Sequence, residues 1–517
     1  MKLHERFGGQ MVATVGGMGL IASPIFHFLP RLSCGKNLPM FTNSLTPDAG
    51  FTILLCYGLV MIGLTLWVSW GREKTKKEFL LANRGVGLIA GSMSIAASWI
   101  WAPAMFVAAQ KTYQQGVAGL FWYIVPNIGT LIIFGPFAAK LRTLLPDGYT
   151  LPQYMRMQHG PKVHFLYLFQ FFTLQICALA VQILAISSLL HTTAGIPFPL
   201  VGAIVVGIVL TYAVIGGLRA SVATDYLQMV AMIVICVITV PWAVSRAGGF
   251  QSVLGGLGGS TGAYTNPLDP WVFYSFGISI TIGLLSGPLG DQMQWQRAYA
   301  LSKNGRVRLT FLIGALLFGS VPLCLSQLGF LAANPAVSQG WTITDPQMIG
   351  PTAIAQLLPH TMIVLYVVMV LAGLCSTMDS SLCAIASLVA TDIYGSKGDE
   401  DDAHHRSVKV SRYAMLAAAV FGYLVAQIPN LQILHLFLFY GTLRASTMIP
   451  TILTLMWPEK LDSKRVFPTI LTSIILGASL MAAGHFWGNV HLSVSGSLLV
   501  VVVGVLGCIR PKGRSSS

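Results

Sequence analysis

The chain has 517 residues, 54% of them hydrophobic and only 9% charged, with a mean hydropathy of +0.71. A soluble globular protein carries roughly 25% charged residues, so water is excluded as its main solvent. The formal charge of +14 does not signal a nucleic-acid partner, because Lys and Arg are scattered between apolar stretches instead of clustering on one soluble face.

Apolar stretches long enough for the roughly 30 Å hydrocarbon core of a bilayer recur about fourteen times. In chain order they fall at residues 10–29, 51–71, 88–110, 116–142, 163–190, 197–217, 219–245, 270–290, 306–333, 358–392, 407–428, 430–457, 466–487 and 491–509. Lys2 and Arg6 precede the first, which raises a signal peptide; the lack of a small-residue cleavage pattern across Ile21–Leu29 favours a retained helix. No soluble domain fits between the spans. The eight Cys show no paired spacing, which argues against a disulfide or metal framework. No His and Glu stand at metal spacing and no nucleophile stands beside a base, so an enzyme is not expected.

Charge alternates from loop to loop. Arg72, Lys74, Lys76, Lys77 and Arg84 open one set, which continues with Lys140, Arg142, Arg156 and Lys162, then Arg219, then Arg297, Lys303, Arg306 and Arg308, then Lys397, Arg406, Lys409 and Arg412, then Lys460, Lys464 and Arg465, and the tail Arg510, Lys512 and Arg514. The other loops hold little beyond Arg31, Lys36, Lys111 and Arg246. By the positive-inside rule the first set is cytoplasmic, which places both termini inside a multi-pass protein of the inner (plasma) membrane. Gly248–Gly262 and Asn334–His360 are then external, as connectors or as gates, and the acidic run Asp399–Asp402 reads as a solvated loop face.

Gly and Pro clusters at mid-membrane depth need protein or water around them, because the freed backbone groups must be satisfied. The third span holds Ala97, Ser98, Trp99, Ile100, Trp101, Ala102 and Pro103 near its middle; Pro103 cannot donate and frees carbonyls that suit a cation. The eighth carries Gly277, Gly283, Gly287 and Pro288, a second interruption five spans later, the spacing of an inverted five-helix repeat. Three charges lie within spans and ask for a partner or a task. Asp379 shares a helical face with Ser376, Ser380 and Cys383, a set suited to a hard cation or a proton. Asp225 lies in the seventh span; Arg444, in the twelfth, either neutralises an acid or binds solute.

Four segments carry a family resemblance: Glu78–Gly85 (EFLLANRG), Gly216–Gln228 (GGLRASVATDYLQ), Asp291–Arg297 (DQMQWQR) and Ser376–Tyr394 (STMDSSLCAIASLVATDIY). Together they resemble the sodium/solute symporters, which include sodium-coupled proline, glucose and sialic acid transporters and high-affinity urea symporters. The run Gly116–Tyr123 (GVAGLFWY) is similar to the urea branch. The resemblance implies an all-α polytopic protein with a leucine-transporter-like core of two inverted five-helix repeats. Residues 1–87 would be N-terminal flanking helices, 88–245 the first repeat, 270–457 the second, and 458–517 C-terminal flanking helices and a short tail.

Carried over residue by residue, the resemblance places a sodium site at the carbonyls of Ala97, Ile100 and Gly373 and the hydroxyls of Ser376 and Thr377. A second site would take Asp225, Ser376, Asp379 and Ser380. There Asp379 replaces a hydroxyl, so the second ion is sodium or a proton. The solute cavity would be lined by Ser98, Trp99, Trp101, Tyr123, Gln170, Gln175, Phe276, Gly283 and Arg444, and its two Trp favour a small solute over a hexose. The implied activity is cation-coupled symport of a small polar solute by alternating access, with Na+ as coupling ion and no other cofactor. A proton-coupled symporter, or an uncoupled facilitator of a solute such as urea, is the alternative. The partners are the solute, the ion and the lipid bilayer; the oligomeric state is left open.

Overall fold

Caps and chain breaks decide where each helix starts and stops. The computed structural model describes residues 45–71, 75–302, 306–343, 345–395, 400–429 and 431–509. The apolar stretch 10–29 and the loop charges Arg31, Lys36, Arg72, Lys74, Lys303, Lys397, Asp399, Arg510, Lys512 and Arg514 lie outside the described residues. Among the described residues extended pairing is limited to two isolated bridges, Val86 with Leu301 and Leu461 with Ile509.

α1 (Pro47–Ser69) starts under Thr46, whose hydroxyl accepts from Ala49 N, with Pro47 where a missing N–H costs nothing. α2 (Lys76–Leu81) opens on a Thr75-x-x-Glu78 cap in which Thr75 Oγ1 accepts from Glu78 N at 3.1 Å. Ala82, Asn83 and Arg84 then turn through φ values of 47°, 54° and 55°. α3 (Leu88–Trp99) ends at the first break, and after a wide turn at Pro103–Val107 the chain continues as α4 (Ala108–Leu144). α5 (Leu151–His159), α6 (Pro161–Ala194) and α7 (Phe198–Arg246) follow.

α7 holds two of the expected spans, and α4 the end of one and the whole of the next. The 49 residues of α7 would reach about 74 Å as a straight helix, over twice the hydrocarbon thickness. The chain turns instead at Gly217 (φ 56°, ψ −150°), where a Cβ would lie 2.4 Å from Phe79 O. Gly116 (φ 52°, ψ −141°) does the same in α4, its missing Cβ leaving room for Leu257 O at 2.2 Å. Only glycine fits either corner.

The segment 250–285 contains α8 (Phe250–Leu254), α9 (Pro270–Val272) and α10 (Ile278–Leu285). The Gly-rich run is held against the Gly116 corner, with Val117 N donating to Leu257 O at 2.9 Å and Ser260 N to Tyr113 O at 2.6 Å. After the second break comes α11 (Gln292–Ala300), every residue of which is buried. Next are α12 (Val307–Ala333), α13 (Pro335–Ser338), α14 (Ile349–Leu357) and α15 (His360–Leu388). The chain closes with α16 (Glu400–Ala426), α17 (Ile433–Met456), α18 (Ser463–Phe486) and α19 (Val490–Cys508).

Among the described residues ten helices are long and apolar enough to cross a membrane, and two shorter ones, Leu88–Trp99 and Pro270–Leu285, flank the breaks. α6 and α15 are buried over most of their length, whereas α1, α18 and α19 present Leu55, Leu59, Trp67, Ile475 and Leu506 outward. Lipid accepts such a rim; water would not. α15 packs on α6, α7 and α3, and α17 on α10, so both breaks face the centre of the bundle.

Candidate functional site

Ile100 leaves the helix at φ −83°, ψ 81°, and the restart is capped by Gln182, whose Oε1 accepts from Ala102 N at 2.7 Å. The freed Ile100 carbonyl meets α15: Thr377 Oγ1 donates to it at 3.1 Å and lies 3.3 Å from Gly373 O. Ala97 O, one step back, accepts from Ile100 N at 3.0 Å. A Cβ on Gly373 would sit 2.5 Å from Met105 Cε and 3.1 Å from Met232 Sδ, so the glycine gives those side chains their space. Ser376 points the other way and donates to Asp225 Oδ1 at 2.5 Å. Of the first predicted set, Thr377 thus joins Ile100 O and Gly373 O, while Ala97 O bonds within its own helix and Ser376 turns to the neighbouring cluster.

The second set assembles, with a member the sequence reading placed elsewhere. Arg297, assigned above to a basic loop, is 2% exposed because α11 folds back into the bundle. Its Nη2 pairs with Asp225 Oδ2 at 2.8 Å and donates to Ser380 Oγ at 2.6 Å, while Nε donates to Ser94 Oγ at 2.9 Å. Asp379 Oδ1 accepts from Ser221 at 2.6 Å and from Ser380 at 3.3 Å, and Oδ2 lies 3.4 Å from Thr224 Oγ1. The cluster therefore buries two carboxyl groups against one guanidinium. A proton or a monovalent cation at Asp379 balances it.

Between the breaks lies a cavity of about 20 Å3 lined by Trp99, Trp101, Pro103, Ala104, Tyr123, Asn127, Leu284, Phe437 and Arg444. Four of the nine predicted lining residues are there. Trp99 Nε1 donates to Asn127 Oδ1 at 3.2 Å, and the Arg444 guanidinium sits 5.9 Å from the Trp99 ring and 5.3 Å from that of Tyr440. The other five serve differently. Ser98 Oγ bonds Ile95 O and Gln294, Gln170 Nε2 donates to Gly290 O at 3.0 Å, and Gln175 Nε2 to Asp291 Oδ1 at 2.9 Å, which braces the second break. Phe276 carries the Lys111 ammonium 4.6 Å from its ring centre. Gly283 faces Gly441 and offers its carbonyl to Arg444 Nε at 2.8 Å.

On the side of the basic loops the turn 145–150 is tied to several neighbouring segments. Arg84 donates to Pro146 O and Gly148 O, Gln292 Nε2 reaches Tyr149 O and Ser387 Oγ at 3.0 Å each, and Thr150 Oγ1 donates to Asp392 at 2.7 Å. His164 Nε2 stands 2.8 Å from the same carboxylate, and Lys76 Nζ donates to Ala390 O at 3.1 Å. Burial pulls the Lys76 ammonium below its usual range, with Asp392 acting against that shift.

The model of the sodium:solute symporter family matches residues 79–483, a stretch that holds both breaks and both oxygen-lined clusters. The chain belongs to that family. It is thus a multi-pass membrane protein and a secondary transporter that moves a solute with a cation. This symporter is 24% identical to a urea-proton symporter of Oryza sativa over 98% of its own length and 74% of that protein. It is 25% identical to a urea active transporter of Saccharomyces cerevisiae, over 80% of its length and 60% of the relative's. In fold it matches the substrate-bound, outward-open state of a Na+-coupled sialic acid symporter at a TM-score of 0.69 and 18% identity, covering 89% of this chain and 97% of that one. The leucine-transporter-like architecture follows from that likeness.

Four residues at these clusters receive no site role from the sequence. Asn127 and Gln182 carry a visible signal, an uncharged amide at mid-span, which in a membrane helix asks for a partner. Arg297 carries a misleading one, because a charge just past an apolar span counts as a loop charge until the fold shows the segment turning back inward; Asp291 stands only as the first residue of a motif.

Proposed function

We propose that the symporter takes up urea, or a planar amide of the same size, across the inner (plasma) membrane, driven by a cation gradient. The observation that carries this is the smallness of the cavity: about 20 Å3 is little more than one water needs by the same measure, roughly 10–15 Å3. Its aromatic walls suit a flat molecule and its polar groups, Arg444 and Asn127, suit a carbonyl and an amine. A hexose or an amino acid would require the two Trp to leave. The urea transporters among the relatives support the same substrate class.

Sodium is the proposed ion at Ala97, Ile100, Gly373, Ser376 and Thr377, where binding would tie the first broken helix to α15 and complete the solute site. Asp379 is the proposed holder of a second positive charge, a proton in preference to sodium, because Arg297 already occupies Asp225. The basic loops and both termini are cytoplasmic in this reading. The test is uptake of labelled urea, proline and glucose into proteoliposomes under imposed Na+ or H+ gradients. Urea accumulation that needs at least one gradient is expected; equal uptake without either would leave only a facilitator.

A further inference from the structure

Two fully buried groups at the second break have hydrogen-bonding capacity that the protein itself does not use. Asp291 and Gln175 are each 0% exposed. Asp291 Oδ1 accepts from Gln175 Nε2 and from Met293 N, both at 2.9 Å. Asp291 Oδ2 and Gln175 Oε1 have no hydrogen-bond partner. Buried acceptors are nearly always met, and a carboxylate oxygen most of all, so this pair asks for a donor.

Arg444 supplies the opposite end. It and Asp291 lie within electrostatic reach of each other, yet they form no ion pair among the described residues. Gly290 explains how the two come so near: a Cβ there would be 2.8 Å from Arg444 Cβ, so the backbone just before Asp291 lies against the arginine. Arg444 spends its Nε on Gly283 O at 2.8 Å and lines the cavity. A positive and a negative group are therefore buried close together and kept apart.

We propose that Asp291 is a further solute-recognition residue of this symporter, its Oδ2 and the neighbouring Gln175 Oε1 taking the N–H groups of a solute whose carbonyl oxygen is held by Arg444. The inference rests on the small-amide reading above and extends it by fixing the solute's orientation. A neutral molecule with an acceptor at one end and paired N–H donors at the other aligns its dipole between the two charges. A carboxylate would suit Arg444 and be repelled by Asp291; an ammonium would meet the reverse; a polyol lacks the polarity of either end. Urea, with two amino groups, fits better than acetamide, which has nearly the same size and only one.

The test compares urea and acetamide as competitors of labelled urea uptake by the full chain in proteoliposomes. Wild type is expected to favour urea by about ten- to a hundredfold, the range for a hydrogen bond to a charged group. Asp291→Asn, checked for a monodisperse profile, is expected to bring urea close to acetamide while acetamide changes little. An unchanged ratio in the folded variant would overturn the proposal. If Asp291→Asn does not fold, Gln175→Met is read in the same way: a narrowed ratio supports the assignment and an unchanged one refutes it. Failure of the wild type to transport urea would instead sink the substrate reading itself, so the two failures are told apart by the wild-type arm.

Discussion

Arg297 and Arg444 are both 2% exposed, and they are buried in opposite ways. Arg297 is surrounded by acceptors: a carboxylate, two hydroxyls and two backbone carbonyls. Arg444 has one carbonyl and the faces of two aromatic rings. A guanidinium has five N–H groups to place; Arg297 places four of them within the protein and Arg444 one. The difference separates a charge tied into the fold from the one proposed above to meet the solute.

The comparison can be broken from either side. The largest effect is expected from Arg297→Met, which strands Asp225 in the bundle; loss of one partner of a buried pair costs about 3–5 kcal/mol. A large fall in the thermal midpoint in detergent, partly restored by adding Asp225→Leu, would bear this out, and an unchanged midpoint would not. Arg444→Met is expected to leave that midpoint nearly unchanged and to cut apparent urea affinity by about ten- to a hundredfold. If it unfolds the protein instead, the two arginines are alike and the contrast fails.

Smaller effects sharpen the ion assignments. Thr377→Val removes the hydroxyl between Ile100 O and Gly373 O and should raise the Na+ concentration for half-maximal uptake by about tenfold, worth roughly 1.4 kcal/mol. Serine at that position should restore most of it. Asp379→Asn should change the pH dependence of uptake, or the charge moved per solute, more than the maximal rate; full retention of both would remove Asp379 from the coupling scheme.

Much of this was open to a reader of the sequence, and the physical reason is the bilayer. Lipid forbids unsatisfied backbone, so Pro103, Gly287 and Pro288 mark where the chain leaves the helix, and an acid such as Asp379 in an apolar span announces a site. What the sequence conceals is direction. Ser98 and Gln170 are polar and correctly placed in depth, yet they turn toward backbone carbonyls. Arg297 looks like a loop charge because span ends are judged by hydropathy, and α11 is polar while being entirely buried.

The turn at Ala82, Asn83 and Arg84 has a mechanical consequence. Three successive side-chain-bearing residues in left-handed backbone each cost about 1 kcal/mol or more. They are held there by Arg219, which bonds Ala82 O at 3.1 Å, and by Arg84 itself, whose guanidinium grips the carbonyls of Pro146 and Gly148. The turn is thus left-handed backbone held from both sides by guanidinium groups, and removing the Arg84 grip on those two carbonyls would free its three residues to relax.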